Sequence, residues 1–427
     1  MSYGDLGRTA GDGRERAGLP DRRALLRMIP ALGGFALLGG PLASRAAAVV
    51  DVRAAGLGLG HGGTGWGRVA GPIVKPLPPE VFISYGTNAE TRWEALRDVG
   101  FRVPNDWFFV RNHTSTPLLD AATWRLRVHG SGVRRPREFS YGELRSMPSV
   151  TFDAAIECAG NGRSFFATQQ GQRASGTPWR LGAVGVARWR GVPLAAVLHR
   201  AGLSGRAVAV MPSGLDANFV AEGVDLGRVR RPLPIAKALD DVLLAYEMNG
   251  EPLPPDHGLP VRVVVPSWIG MASIKWVGDI EVSAEPLSSP WDTRFYRFFG
   301  PGYPDGGSAP LTRQVTKSAF ELAWEGTVPS GSPYTLHGRS WSGRGRIIRV
   351  EVSTDGGARW RRAELLDDGP GVAWTRWRTT WPDPRPGSHD LLARATDETG
   401  TVQPATTRFN QLGYLFDAIV AHPVVVT

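Results

Sequence analysis

The strand pattern of this chain changes at about residue 313, and the change limits what the chain can fold into. Residues 346–365 (RIIRVEVSTDGGARWRRAEL) hold two strand-like runs around an Asp-Gly-Gly turn, which is a strong hairpin signal. Residues 388–404 hold two further strand-like runs around a turn. Short strands at this spacing predict a β-sandwich of about 110 residues, and we assign it to residues 313–427.

The residues from 78 to 290 mix strand-like and helix-like segments, so they predict a separate α/β domain. Residues 124–130 (WRLRVHG) alternate as a strand does, and residues 192–203 (VPLAAVLHRAGL) have the apolar spacing of an amphipathic helix. Residues 259–266 (LPVRVVVP) form a short β-branched run between prolines, and residues 273–283 form another strand-like run.

The length of the chain agrees with more than one domain. One hydrophobic core rarely serves more than about 250–300 residues, and this chain has 427. Its 54 glycines and 34 prolines favour a chain rich in strands and loops over a helical bundle. Residues 291–312, which are rich in proline, glycine and aromatic residues, are interpreted as a linker between the two domains.

The N-terminus has the pattern of an export signal. Paired arginines, Arg22 and Arg23, precede an apolar stretch and a small-residue segment around residues 46–48, which is typical of a twin-arginine signal. We assign residues 1–50 to this signal and residues 51–77 to a glycine-rich tether. The chain is therefore expected outside the cytoplasm, in the periplasm of a bacterium, and it stays tethered to the membrane if the signal is uncleaved.

The net charge of +9 allows anionic substrates or partners, although general solubility explains it equally well. The basic residues are scattered and form no finger spacing or basic helix, which argues against nucleic acid as a partner.

Cys158 is the only cysteine of the sequence, and it cannot form an internal disulfide. It is either an inert core residue or a thiolate committed to a metal or to catalysis. The flanking Gly160 and Gly162 allow close approach of the backbone, and Arg163 would favour the thiolate. These neighbours favour the second interpretation.

Several blocks of this sequence, in their order and spacing, resemble the sulfite oxidase family of molybdenum enzymes. The blocks are FFVRNH (108–113), IECAGNGR (156–163), PWRLGAVGVARWRGVPL (178–194), LLAYEMNGEPLPPDHGLPVRVVVP (243–266), IKWVGDIEV (274–282) and IRVEVSTDGGARW (348–360). The resemblance implies an α+β protein: a mixed α/β domain that holds a molybdenum–molybdopterin cofactor, followed by an immunoglobulin-like domain of the dimerisation type. A homodimer through that domain is expected.

The resemblance also implies the residues that hold the cofactor. Cys158 matches the cysteine that ligates molybdenum, and a soft thiolate suits a metal already held by dithiolene sulfurs. Arg262 lies inside a hydrophobic strand, where an unpaired charge is costly and a phosphate would be a suitable partner. Taken alone, His257 would be a turn histidine. The positions that match the cofactor-binding blocks are Phe109, Val110, Arg111, Asn112, His113, Cys158, Asp216, His257, Arg262, Ser273, Ile274 and Lys275.

A second set of residues matches the substrate side of the family's site. Arg111 and Arg163 match the arginines that bind the oxyanion, Trp179 matches an aromatic wall, and Tyr296 matches the active-site tyrosine. The C-terminal domain is expected to add one arginine, Arg344 or Arg346, and the sequence does not decide between them. Taken singly, each of these arginines could equally be a surface charge.

The expected reaction is oxidation of sulfite to sulfate. Gly162 stands where the family often has an arginine, and the flank of Tyr296 is unlike the animal enzymes, so a wider or differently charged substrate pocket is expected. The sequence has no CxxCH motif, so we expect no haem and no flavin, and an external acceptor such as a cytochrome c. The alternatives are a molybdenum reductase of an S-oxide, an N-oxide or a nitrate-like oxyanion, and a cofactor-free binding or structural protein.

Overall fold

The computed structural model describes residues 72–427. The predicted signal at residues 1–50 and most of the predicted tether lie outside the described residues. None of the helices formed by residues 72–427 has the length and apolar character that a helix crossing a bilayer needs.

The first part of the described chain is a mixture of short strands and short helices, as predicted. Its strands are β1 Phe82–Tyr85, β2 Asn88–Thr91, β3 Val110–Arg111, β4 Arg125–His129, β5 Arg137–Ser140, β6 Val150–Glu157, β7 Val184–Pro193, β8 Ala209–Gly214, β9 Val220–Ala221, β10 Val224–Asp225, β11 Leu233–Pro234, β12 Leu243–Met248, β13 Glu251–Pro252, β14 Arg262–Val264 and β15 Val277–Ser283. Its helices are α1 Tyr141–Ser146, α2 Ser164–Thr168, α3 Leu194–Arg200, α4 Ile235–Asp240 and α5 Pro290–Thr293, with 3₁₀ turns at Glu94–Leu96, Asn105–Trp107, Pro255–His257 and Gly270–Ala272.

Two mixed sheets form the frame of this first part. One has the strand order β11-β8-β15-β4-β5, in which β15 and β4 run parallel. The other has the order β13-β12-β7-β6, and β14 pairs with β12. A smaller sheet, β1-β2-β3, lies at the start of the described chain, and β9 pairs with β10. The α+β prediction for this region is confirmed.

The second part consists of strands alone, as predicted. They are β16 Lys317–Phe320, β17 Gly326–Val328, β18 Tyr334–Trp341, β19 Ile347–Ser353, β20 Arg361–Arg362, β21 Glu364–Leu365, β22 Thr375–Trp381, β23 Gly387–Asp397 and β24 His422–Val426. Two sheets, β16-β18-β22-β21 and β17-β24-β23-β19-β20, pack around a common apolar core. This is the predicted immunoglobulin-like sandwich.

Some element boundaries differ from those predicted. The segment 192–203 begins as the end of β7, because Pro193 closes that strand and α3 starts only at Leu194. In the predicted hairpin, β19 pairs with β20, but β21 crosses to β22 in the other sheet. The two strands predicted in 388–404 are one long strand, β23, followed by a single bridge from Thr396 to Val402.

The segment interpreted as a linker, residues 291–312, is packed into the first part rather than exposed as a spacer. Trp291 is fully buried, and Tyr296 and Leu311 belong to the same apolar cluster as the strands of the β8-β15-β4 sheet. A serine–aspartate capping box at Ser289 and Asp292 starts the short helix α5 that carries Trp291. The segment is thereby held where it can contribute side chains to a site.

The two parts of the described chain share one hydrophobic cluster. Trp93, Phe108 and Trp189 come from the first part, and Trp341 and Trp374 come from the second. The rings of Trp93 and Trp341 stack with their centroids 5.9 Å apart. Because Cys158 and Phe416 lie in the same cluster, the C-terminal domain packs directly behind the Cys158 loop.

Candidate active site

A cavity opens where the connections between the strands of the first part converge. The residues that line it come from the segment before and in β3, the end of β6, the segment after β8, the 3₁₀ turn before β14, the connection from β14 to β15, and the segment after α5. They are Phe108, Phe109, Arg111, Asn112, His113, Ile156, Cys158, Ala159, Asp216, Val229, His257, Arg262, Gly270, Met271, Ser273, Ile274, Lys275, Trp276 and Tyr296.

Most of the residues predicted for the site line this cavity. Twelve of them do: Phe109, Arg111, Asn112, His113, Cys158, Asp216, His257, Arg262, Ser273, Ile274, Lys275 and Tyr296. Val110 does not, because its side chain packs in the small core of the β1-β2-β3 sheet. Arg163 and Trp179 are buried behind the wall.

Cys158 follows directly after β6, and its backbone holds it at the floor of the cavity. Its amide donates to the carbonyl of Ala183 at 2.9 Å, and its carbonyl accepts from the amide of Asn161 at 2.9 Å. The thiol is free, and the residue is 8% exposed. Of the two interpretations of the lone cysteine, this position, open to a polar cavity, favours a ligand over an inert core residue.

One side of the cavity is strongly cationic. Arg262 donates to the carbonyls of His257 and Ser273, each at 3.0 Å, and Lys275 donates to Asn112 and to the carbonyl of Asp256 at 2.7 Å. Arg111 contacts His113. Within residues 72–427, neither arginine forms a salt bridge with a carboxylate, nor does Lys275. These three side chains therefore offer donors to the cavity that no carboxylate of the described residues binds directly.

Burial shifts the titration of these groups. Burial, together with the neighbouring cations, holds the pKa of His113, His257 and Lys275 well below their usual ranges. Burial alone lowers the pKa of Arg262 to about 9. Desolvation disfavours an isolated charge, so a bound anion would restore the charged forms.

Lys75 supports the same region, although it lies in the segment predicted as a tether. Its Nζ lies 3.3 Å from Nε2 of His257 and donates to the carbonyl of Phe108. Its amide and that of Val74 donate to the carboxylate of Asp256. The part of the tether from residue 72 onward is thus bound to the site. No periodicity marks Lys75 in the sequence, so sequence reasoning had no signal for it.

Asp216 is an acceptor in the cavity lining. Its Oδ1 is buried and has no hydrogen-bond partner within the described part of the chain, and burial raises its pKa to about 6. A buried acceptor without a partner is costly unless a ligand supplies a donor.

These donors and acceptors fit a molybdenum–molybdopterin cofactor. The unpaired cations suit its phosphate, the free acceptor of Asp216 suits the N–H groups of the pterin, and the thiol of Cys158 suits a soft metal. No group of three or more His, Cys, Asp or Glu side chains within residues 72–427 is arranged to hold a metal ion. Cys158 would be one protein ligand beside the sulfurs of the cofactor.

Arg163 approaches the cavity from behind. Its Nε donates to the carbonyl of Leu412 and its Nη1 to the carbonyl of Thr177, both at 2.8 Å. A Cβ atom on Gly160 would lie 2.5 Å from Nη2, so this nitrogen lies against the backbone two residues after Cys158.

Trp179 braces the wall instead of lining it. Its ring packs edge-on to Tyr85, with the centroids 5.4 Å apart, and its carbonyl accepts from the amide of Ser164 at 3.1 Å. It thus holds the start of the helix that follows Arg163.

The C-terminal domain brings a tyrosine to the site and not the predicted arginine. Arg346 is exposed and forms ion pairs with Asp368 at 2.6 Å and Glu398 at 3.4 Å, and Arg344 is exposed as well. Tyr414 instead stacks on Tyr296, with ring centroids 5.0 Å apart and planes 13° from parallel. Tyr414 belongs to no strand pattern, so the sequence contained no signal for it.

Comparison with known families agrees with the cavity and with the sandwich. The family described as "Oxidoreductase molybdopterin binding domain" matches residues 113–291, and the family described as "Mo-co oxidoreductase dimerisation domain" matches residues 318–420. The fold and the site therefore define a molybdopterin-binding oxidoreductase domain followed by a dimerisation domain.

Comparison with individual relatives shows which family of molybdopterin-binding oxidoreductases the chain belongs to. The chain is 38% identical to the mitochondrial sulfite oxidase of Homo sapiens over 352 residues, which cover 78% of this chain and 63% of the human protein. It is 37% identical to the sulfite oxidase of Gallus gallus over 335 residues, covering 74% of this chain and 71% of that protein. The chain belongs to the sulfite oxidase family, as its sequence blocks predicted.

A solved structure supports the fold over most of the chain. It is the sulfane dehydrogenase SoxCD from Paracoccus pantotrophus, which is 30% identical with a TM-score of 0.67 and covers 81% of this chain and 84% of that one. The chain spans 63% of the length of its human relative, so the activity and partners of the whole protein are treated as proposals.

Proposed function

We propose that this chain holds a molybdenum–molybdopterin cofactor in the cavity and oxidises sulfite, or a closely similar sulfur oxyanion, with an external electron acceptor. The observation that carries the proposal is the cavity itself, whose lining includes Cys158, Arg111, Arg262 and Lys275, with no salt bridge from these cations to a carboxylate of residues 72–427. The names of its relatives, sulfite oxidases and a sulfane dehydrogenase, support the choice of substrate.

Each group in the cavity has a role in this proposal. His113, His257, Arg262 and Lys275 would bind the phosphate end of the cofactor, and Asp216 would accept from its pterin. Cys158 would ligate the metal. When bound, the cofactor supplies two-electron redox chemistry and oxygen-atom transfer.

The chain's own residues would bind and orient the anion. Arg111 lines the cavity and would bind a dianion with its forked donors, while Arg163, buried behind the wall with two of its nitrogens bonded to carbonyls, would attract the dianion by its charge. Burial raises the pKa of Tyr296, so its hydroxyl stays protonated at neutral pH and can donate to the bound oxyanion. The balanced reaction is sulfite plus water to sulfate, two protons and two electrons.

The proposal includes the fate of the electrons and the location of the protein. The two electrons would pass to an external acceptor such as a cytochrome c, without haem or flavin in this sequence. The dimerisation domain supports a homodimer, and the arginine pair at the N-terminus supports export to the periplasm, with a membrane tether if the signal stays uncleaved. Light scattering of the purified protein tests the dimer, and fractionation of cells carrying Arg22→Lys and Arg23→Lys tests export.

The proposed function is tested by one purification and two assays. Protein expressed in a host that makes the cofactor is analysed for molybdenum, then assayed with sulfite and ferricyanide or cytochrome c. We expect about one molybdenum per chain and sulfite-dependent reduction of the acceptor. Reduction of S-oxides or nitrate by a viologen donor, without sulfite oxidation, would favour the reductase alternative. Absence of molybdenum would favour a cofactor-free binding protein.

A variant of Arg262 separates cofactor binding from substrate binding. Arg262→Leu removes a buried cation, so the folded chain is expected to lose molybdopterin; its unfolding midpoint without cofactor is also expected to fall, because the carbonyls of His257 and Ser273 lose their donor. The matched control is Arg346→Leu, because Arg346 forms surface ion pairs outside the cavity. Full cofactor content in Arg262→Leu would contradict the assignment of this side of the cavity.

A further inference from the structure

The loop at residues 410–416, here called the C-terminal loop, reaches the site from the C-terminal domain. Asn410 is fully buried and closes the loop, because its Nδ2 donates to the carbonyl of Tyr414 and its Oδ1 accepts from the amide of Tyr414, both at 2.9 Å. The amide of Leu415 donates to the carbonyl of Ala159 at 2.8 Å. The loop is thus bonded to the residue that follows Cys158.

The same loop contacts the side chain of Arg163 and holds it in place. The carbonyl of Leu412 accepts from Nε, and the ring of Tyr414 lies under the guanidinium with its centroid 5.4 Å from Cζ. Gly413 has a φ of +59°, and a Cβ atom there would lie 2.5 Å from Cγ of Arg163. Nε of Arg163 donates to the loop and Nη1 donates to Thr177. The remaining nitrogen, Nη2, faces the Cys158 loop and has no hydrogen-bond partner within residues 72–427.

Tyr414 also supports Tyr296, the tyrosine that lines the cavity. The two rings are stacked almost in parallel. Tyr296 has a φ of +55°, a left-handed conformation that costs a non-glycine residue free energy. Its carbonyl accepts from the amide of Leu311 at 2.8 Å, and its ring packs against that of Tyr414.

We propose that Tyr414 is a positioning residue for the anion, acting through Arg163 and through Tyr296, both of which its ring contacts. This inference depends on the proposed function only because it requires the site to bind an oxyanion. A single aromatic ring fixes both side chains, so the two donors keep one spacing and favour a small oxyanion that fits between them. The hydroxyl of Tyr414 is not required, because both contacts use its ring.

The inference predicts different effects for two replacements of the same side chain. Tyr414→Leu removes the stack and the cation–π contact, whose ordinary worth corresponds to a loss of about tenfold in anion affinity, or about 1.4 kcal/mol. Tyr414→Phe keeps both contacts and should restore affinity to within about twofold of the wild type. The kcat of Tyr414→Leu should change much less than its KM.

The experiment measures the KM for sulfite and, separately, the Kd of the purified holoprotein for sulfate by calorimetry. The control is Tyr303→Leu, because Tyr303 also packs against an aromatic ring, with its centroid 5.3 Å from that of Phe298, and its ring centroid lies 4.3 Å from the guanidinium of Arg408, outside the cavity. The expected result is a roughly tenfold rise of both constants in Tyr414→Leu alone. Should that variant fail to load molybdenum, Tyr414→Met replaces it.

Several results would overturn the inference. They are unchanged constants in Tyr414→Leu, an equal loss in Tyr414→Phe, an equal loss in Tyr303→Leu, and a wild type that binds no sulfate. A wild type that binds sulfate but does not oxidise sulfite would contradict the proposed function alone, and the sulfate constants of the variants would still test Tyr414.

Discussion

Lys317 offers the sharpest test of how the C-terminal domain supports the site. It is the first residue of β16, and its Nζ lies 2.8 Å from Oε1 of Glu157 and 2.7 Å from the carbonyl of Asn161. Both charged side chains are at most 2% exposed, and Glu157 directly precedes Cys158. The ion pair therefore joins the two domains at the cysteine loop.

We predict that Lys317→Met lowers the free energy of unfolding by about 3–5 kcal/mol, the usual cost of leaving one partner of a buried ion pair without its counter-charge. Glu157 would keep only the amide of Asn161, which donates to Oε1 at 3.0 Å, while its Oε2 already has no partner within residues 72–427. The double variant Glu157→Gln, Lys317→Met should recover part of the loss, because no buried charge then remains.

The assay is urea unfolding of the four proteins of this double-mutant cycle, with molybdenum content measured in parallel. Arg339→Met is the matched control, because Arg339 is fully buried, pairs with Glu321 at 2.6 Å and also crosses to the first domain through the carbonyl of Leu96. It should lose similar stability, whereas only Lys317→Met should also impair the metal site. A loss below about 1 kcal/mol, or strict additivity in the cycle, would refute the reasoning.

Three further predictions concern single positions. Cys158→Ser should keep the pterin, measured by its fluorescence after release, but lose turnover, and an active serine variant would exclude the thiolate as a ligand. Gly413→Ala should raise the KM for sulfite, because a Cβ atom there collides with Arg163; Gly356→Ala, where a Cβ atom meets open space and φ is also positive, at +67°, is its control and should leave the KM unchanged. Burial lowers the pKa of His422 to about 4. As the pH drops, the imidazole is therefore protonated first in the unfolded chain, and the free energy of unfolding decreases between about pH 6.5 and pH 4. Between pH 7 and pH 4.5, unfolding titrations should show His422→Gln losing about 2.5 kcal/mol less than the wild type, and equal losses would contradict this assignment.

Much of the fold followed from local sequence signals. The Asp-Gly-Gly turn at residues 355–357 specifies its own conformation, and β19 and β20 pair around it as predicted. Pro193 marks the end of β7 and the start of α3, although the sequence reading placed the helix two residues too early. Boundaries of this kind were misplaced where pairing with a distant strand extended or shortened an element.

Most residues on the cofactor side of the site could also be predicted from the sequence. Its residues lie in short blocks, and each block forms one connection that ends at the cavity. Val110 was the exception within a block, because alternation along β3 turns its side chain towards the opposite face from Arg111. The prediction that Arg344 or Arg346 reaches the site was wrong for a different reason, because nothing in the local sequence shows which way that segment faces.

By itself, the sequence determined the order of the two domains, the family, the metal-binding cysteine candidate and most of the residues around the cavity, because these depend on short-range patterns. Only the tertiary structure decided that Lys317 and Tyr414 meet around the Cys158 loop and that Lys75 lies against His257. Tyr414 is more than 110 residues from Tyr296 along the chain, and Lys317 is 160 residues from Glu157. Contacts at such separations depend on how whole sheets pack against each other, and packing of that kind leaves no periodic mark at the residues it brings together.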